Sequence, residues 1–121
     1  MSDKFDLEDR LIEYTVLVAG IIELLPHNRI GLYLSDQLTR SGMSPALEYG
    51  EAQGAESRSD FIHKMKVALK ELRESFISLK IIRRHNLLKE ENKLSKVIDE
   101  TNQLISIFVK SIETAKKNRN K

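Results

Sequence analysis

The chain has 121 residues, no cysteine, 31% charged residues and a formal net charge of +2. This length suits one domain able to bury an apolar core without staples. The lack of cysteine excludes disulfides, thiolate nucleophiles and Cys-ligated zinc, and fits a reducing cytoplasm. Only 2 prolines and 5 glycines favour helices over turn-rich β structure.

The first predicted helix covers about residues 7–25, with Leu7, Leu11, Tyr14, Val18, Ile21, Ile22 and Leu25 recurring at three- and four-residue steps. Asp6, Glu8 and Asp9 sit at its start, where carboxylates suit the positive end of the helix dipole. Its most apolar stretch, Val16 to Leu25, is broken by Gly20 and Glu23 and is too short to cross a bilayer. The acidic N-terminus differs from the basic start of a signal peptide, so neither membrane nor export is expected.

Pro26 stops the first helix, and the second spans about 30–53. Leu34 and Leu38 set its apolar face, which continues through the small residues Ser41, Gly42, Ala46 and Gly50, an arrangement suited to close helix packing. Pro45 removes the amide that would bond to the Ser41 carbonyl. A kink near Pro45 is the expectation. The alternative is a stop and restart with Ser44 as N-cap and Pro45 at the first helical position.

The third helix is predicted over about 58–85, with Ser57 and Asp60 in a capping arrangement. Its stripe reads Phe61, Met65, Ala68, Leu69, Leu72, Phe76, Leu79 and Ile82. The fourth covers about 90–117, with Leu94, Val97, Ile98, Thr101, Leu104, Ile105, Phe108 and Ile112 inward and residues 118–121 as a frayed tail. Four helices of matched length joined by short connections predict an all-α, antiparallel up-down-up-down four-helix bundle in a single domain, 1–121.

Residues 1–60 carry 5 Lys/Arg against 11 Asp/Glu, giving −6, and residues 61–121 carry 15 against 7, giving +8. Acidic helices facing basic ones attract weakly across exposed seams. The polar residues Tyr49, Glu51, Gln53, Asp60, Lys64, Lys70 and Glu74 are expected to form a structural network between helices two and three, or a subunit contact. Arg83, Arg84, Lys116, Lys117 and Arg119 are candidate phosphate contacts, or a solvated helix end and tail. No aromatic residue interleaves with either basic cluster, so base stacking is not suggested.

Chemistry has little purchase here. Glu-x-x-His, the mark of carboxylate-bridged metal bundles, does not occur at His27, His63 or His85, and Asp60-x-x-His63 is the nearest approach. No elbow exposes a serine, and no glycine-rich phosphate loop is spaced correctly. Neither cofactor, metal nor small-molecule substrate is expected, and the chain reads as a non-enzyme.

The stretch Gln37-Leu38-Thr39-Arg40-Ser41-Gly42-Met43-Ser44-Pro45, then Tyr49-Gly50-Glu51-Ala52-Gln53-Gly54-Ala55-Glu56-Ser57, Asp60-Phe61-Ile62-His63-Lys64-Met65-Lys66 and Leu69-Lys70-Glu71-Leu72-Arg73-Glu74-Ser75 resembles the bacterial four helix bundle protein family. That family is related to proteins encoded in intervening sequences of large-subunit ribosomal RNA genes. It is distantly related to a basic accessory protein of diversity-generating retroelements. Glu48 stands where relatives often have Asn, and Ser78 where many have Trp. The resemblance implies a homo-oligomer, a ring of five, without a settled activity. A self-assembling scaffold or adaptor is the expected role. The alternative is a nucleic-acid or ribonucleoprotein-binding accessory protein, partnered by RNA, DNA or a nucleic-acid enzyme through the basic surface of helices three and four.

Overall fold

The computed structural model describes residues 6–119, the side chain of Arg119 excepted. Four helices follow one another: α1 (Leu7–Leu24), α2 (Arg29–Gln53), α3 (Arg58–Arg84) and α4 (Glu91–Arg119). No strand occurs among the described residues, and the chain is an all-α bundle.

Side chains close the helix starts, where orphan amides need acceptors. Asp6 accepts from the Asp9 amide at 3.1 Å, Asn28 from Gly31 at 2.8 Å and Ser57 from Asp60 at 3.0 Å. Asp60 accepts in return from the Glu56 amide at 3.4 Å, one residue before the cap. Leu25, before Pro26, is extended, as the proline ring demands of its predecessor. The chain then turns so tightly that a Cβ on Gly31 would overlap the Pro26 carbonyl.

α2 is one uninterrupted helix through Pro45, so it does not stop and restart there. Ser44 Oγ donates to the Arg40 carbonyl at 2.7 Å, one turn back, and does not serve as an N-cap. α3 ends in a Schellman motif: Asn86 takes a φ of 53°, the Leu87 amide donates to the Ile82 carbonyl and the Asn86 amide to that of Arg83. Leu87 and Leu88 then fold partly onto the core. α4 continues to Arg119, past the boundary expected at 117. Its last turn contains no Gly or Pro, and its cations suit a helix C-terminus. The rest of the expected tail, 120–121, lies outside the described residues.

Each helix packs on two neighbours, in the pairs α1–α2, α2–α3, α3–α4 and α1–α4. Across the α2–α3 seam, Ser41 meets Ser75 and Glu51 meets Lys64, so numbering rises along one helix as it falls along the other. Tyr14, Phe108, Leu38, Met65, Leu72 and Leu104 are among the fully buried side chains. The α3 stripe is rotated from its expected position. Ile62 is buried where Phe61 is only half-buried, Ser75 and Ser78 also turn inward, and Leu69 and Phe76 lie at the margin. A helix with neighbours on both sides buries a wider arc than one apolar row.

Candidate functional site

The central polar feature is a layer of hydroxyls, one from each helix. Ser41 on α2 bonds Ser75 on α3 at 2.8 Å, and Tyr14 on α1 bonds Thr101 on α4 at 2.7 Å, all four residues being buried. Thr101 already donates to the Val97 carbonyl at 2.7 Å, so Tyr14 is the donor to Thr101. The Ser75 hydroxyl lies on the same layer and also favours the ionised phenol of Tyr14. Burial holds the Tyr14 phenol above its ordinary pKa, an effect tempered by these hydrogen bonds. The layer is neutral and holds no base, so it fastens helices and activates nothing.

Ion pairs lie outside this layer. Between α1 and α4, Arg10 binds Glu100 through two nitrogens at 2.7 and 2.8 Å and reaches Gln103 at 2.8 Å. Between α2 and α3, Arg40 sits 2.9 Å from Glu71 and 3.1 Å from Glu74. Burial, then the neighbouring Glu74 carboxylate, pushes the Glu71 carboxyl above its usual range, while Arg40 and Lys70 oppose that shift.

The network expected around the end of α2 resolves into separate local pairs. Lys64 meets Glu51 at 3.3 Å in the open, and Gln53 donates to the Tyr49 hydroxyl within one helix at 2.8 Å. The Tyr49 ring packs edge-on against Phe108, with centroids 6.2 Å apart. Asp60 serves the α3 cap, and Lys70 makes no ion pair among the described residues. Glu74 turns to Arg40 and not to Lys70 on its own helix. Sequence reasoning missed Arg40 because its partners lie far along the chain, beyond any helical spacing rule.

The small-residue face also divides. Ser41 and Gly42 are buried, and a Cβ on Gly42 would lie 2.7 Å from Val18 Cγ1, so α1 and α2 approach closely there. Ala46 is half-buried. Gly50 does not share in this packing: it is exposed, and a Cβ there would meet nothing within 4 Å. By that point the row has rotated out of the seam.

Among the candidate phosphate contacts, Arg83 is occupied by Glu91 at 2.9 Å and Ser95 at 2.8 Å. Arg84, Lys116 and Lys117 are exposed, and the Arg119 side chain lies outside the described residues. The three histidines are exposed, and no group of three or more metal-ligating side chains converges among the described residues. No described helix is long and apolar enough to cross a membrane.

The outer surface of α1 and α2 was not anticipated. Ile12 is 50% exposed, Val16 57% and Leu47 69%. Val16 borders α4, beside Lys93, Lys96 and Val97, and Leu47 shares the side of α2 that carries Arg40 and Glu51 toward α3. Ala19, Met43 and Gly50 add uncharged positions to the outer surface of these two helices.

Comparison with known proteins places the chain. Among curated proteins, none matches its sequence. It is similar to the crystal structure, at 1.70 Å, of a protein of unknown function from the S23 ribosomal protein family of Bacteroides thetaiotaomicron. The two share 26% identity and a TM-score of 0.80, covering 88% of this chain and 98% of the other. Residues 8–110 match the 23S rRNA-intervening sequence protein family, whose description names no catalytic activity. On that match, which takes in most of its length, the chain belongs to the 23S rRNA-intervening sequence protein family.

Proposed function

We propose that this chain is a non-enzymatic, self-assembling scaffold or adaptor of the cytoplasm, built to bind copies of itself. The exposed apolar side chains of α1 and α2 carry the reading. Single exposed apolar side chains are ordinary, but Ile12, Val16, Ile30, Leu32, Tyr33 and Leu47 are all exposed on this one pair of helices, and a concentration of apolar surface marks an interaction site. A second copy is the natural occupant because such a face is self-complementary and needs no countercharge. The resemblance seen in the sequence, which implies a ring of five, agrees with it.

Light scattering is the test. The expected mass is a multiple of the 13.9 kDa chain. Val16→Glu with Leu47→Glu should return monomers that keep their helical circular dichroism. A wild-type protein that stays monomeric throughout the micromolar range removes the proposal.

A further inference from the structure

α3 carries a second unassigned surface. Lys66, Lys70, Arg73, Lys80 and Arg84 are all exposed, and with Ile77 they alternate in steps of four and three residues. That spacing keeps them on one face of the helix. The row runs from Lys66 to Arg84, 18 steps along the helix or about 27 Å at 1.5 Å per residue.

These cations differ from those of the helix seams in how they are used, and from the other unpaired cations in standing in one continuous line. Arg10, Arg40, Lys64 and Arg83 each hold a carboxylate. None of the five in the row has an ion-pair partner among the described residues. Glu71 and Glu74, the acids of α3 nearest the row, are drawn to Arg40 on the α2 side. Lys80 is steadied from beneath, its ammonium 4.5 Å from the centre of the Phe76 ring. On α4, by contrast, the cations Lys93, Lys96 and Lys110 are interrupted by Asp99 and Glu100.

We infer that this row is a track for the phosphate backbone of a nucleic acid, bound without regard to sequence. A line of like charges left unpaired costs self-repulsion, which a polyanion relieves by releasing its counterions. Lysine is depleted in protein interfaces, and Ile77 is the one apolar side chain in the row, so a protein partner fits poorly. A membrane surface fits poorly as well, because α3 spends its main apolar face on the core and exposes only Ile77 and Ile81 beside the row, too little to insert. With no aromatic residue in the row, contacts go to phosphates and not to bases. The set differs from the basic clusters expected from sequence, sharing only Arg84 with them. The inference does not depend on self-assembly, although copies in one particle would multiply the track.

Fluorescence anisotropy with labelled single-stranded RNA, single-stranded DNA and duplex DNA tests it. If all five cations meet phosphates, log K should fall with log salt at a slope of about −3.5 for single strands and about −4.5 for duplex. Each doubling of salt then weakens binding about tenfold to twentyfold. Lys70→Gln with Arg73→Gln should weaken binding to all sequences alike and flatten the slope by about 1 for each cation removed. Lys116→Gln with Lys117→Gln, outside the row, should leave the slope unchanged. Circular dichroism of each variant verifies the fold. A preference among the three polymers would name the natural ligand within the class. The inference is overturned by no binding to any polymer at low salt, by equal slopes for the Lys70/Arg73 variant and the wild type, or by tighter binding to phosphatidylserine vesicles or polyglutamate.

Discussion

Substituting Gly42 by Ala tests the close approach of α1 and α2. The new methyl carbon would lie 2.7 Å from Val18 Cγ1, 3.2 Å from Cγ2 and 3.3 Å from Cβ, where carbon atoms prefer about 3.5–4.0 Å. Val18 is fully buried and β-branched, so it has little freedom to swing aside in a helix. Overpacking of this kind costs about 1–3 kcal/mol. The gain in helix propensity from Gly to Ala offsets about 0.8–1 kcal/mol. Gly42→Ala should therefore destabilise the fold by about 0–2 kcal/mol. Gly20→Ala supplies the control, because a Cβ there meets nothing within 4 Å, and it should stabilise by about 0.8–1 kcal/mol. Gly50 is a poorer control because it lies on the proposed assembly face. In a Val18→Ala background the two methyl carbons that crowd Gly42 are gone, and Gly42→Ala should become favourable, a coupling of about 1–3 kcal/mol. Urea unfolding followed by circular dichroism, at one fixed protein concentration, reads all four variants. Should Gly42→Ala stabilise as much as Gly20→Ala, the helices are not in contact at that point and the reasoning fails.

Ser75→Ala leaves the buried Ser41 hydroxyl without its partner and should cost about 1–3 kcal/mol, whereas the Ser41→Ala, Ser75→Ala double variant should cost less than the two single changes added together; chemical denaturation checks both. Tyr14→Phe should lose about 1 kcal/mol, since Thr101 keeps its bond to Val97. The raised pKa of the Tyr14 phenol means the folded state holds that proton more tightly than the unfolded chain. Its contribution is therefore complete below the ordinary tyrosine range and is lost as pH climbs from there through the folded value, so alkaline titration should show a tyrosinate absorbance that appears late or together with unfolding. Glu100→Gln, which weakens a two-pronged contact with Arg10 whose side chains are 27% and 20% exposed, should cost about 1–2 kcal/mol in thermal or urea melts. Glu51→Gln, in the open pair with Lys64, should be close to neutral in the same melts.

The helices were legible because each apolar row is long and regular: Leu7, Leu11, Tyr14, Val18 and Ile21 are all buried on α1, as expected from their spacing. Local chemistry marked the ends in the same way, with Asp6 and Ser57 capping their own helices. Contacts between distant residues were not legible. Ser41 read as a small residue that permits close packing, and nothing near it in sequence points to Ser75. Glu74 has Lys70 one turn away on its own helix, yet it faces Arg40, because α2 lies on that side of α3. Gly42 and Gly50 look alike in the sequence and differ only in whether α1 passes over them. The row on α3 was hidden for a different reason: its charges were visible, but which of the chain's cations already hold a carboxylate is decided by the folded seams.

The layer formed by Tyr14, Ser41, Ser75 and Thr101 has a consequence for how this sequence can drift. Ser41 and Ser75 are tolerable in the interior only while each has the other, so that pair is bound to mutate together, whereas Thr101 keeps Val97 on its own helix. A slide of one helix by a single turn would strand several hydroxyls in hydrocarbon at once, which makes misaligned bundles expensive without involving one formal charge. Alignment of the interior is thereby kept apart from the ionic surface, leaving the outer charges free to be rearranged for binding.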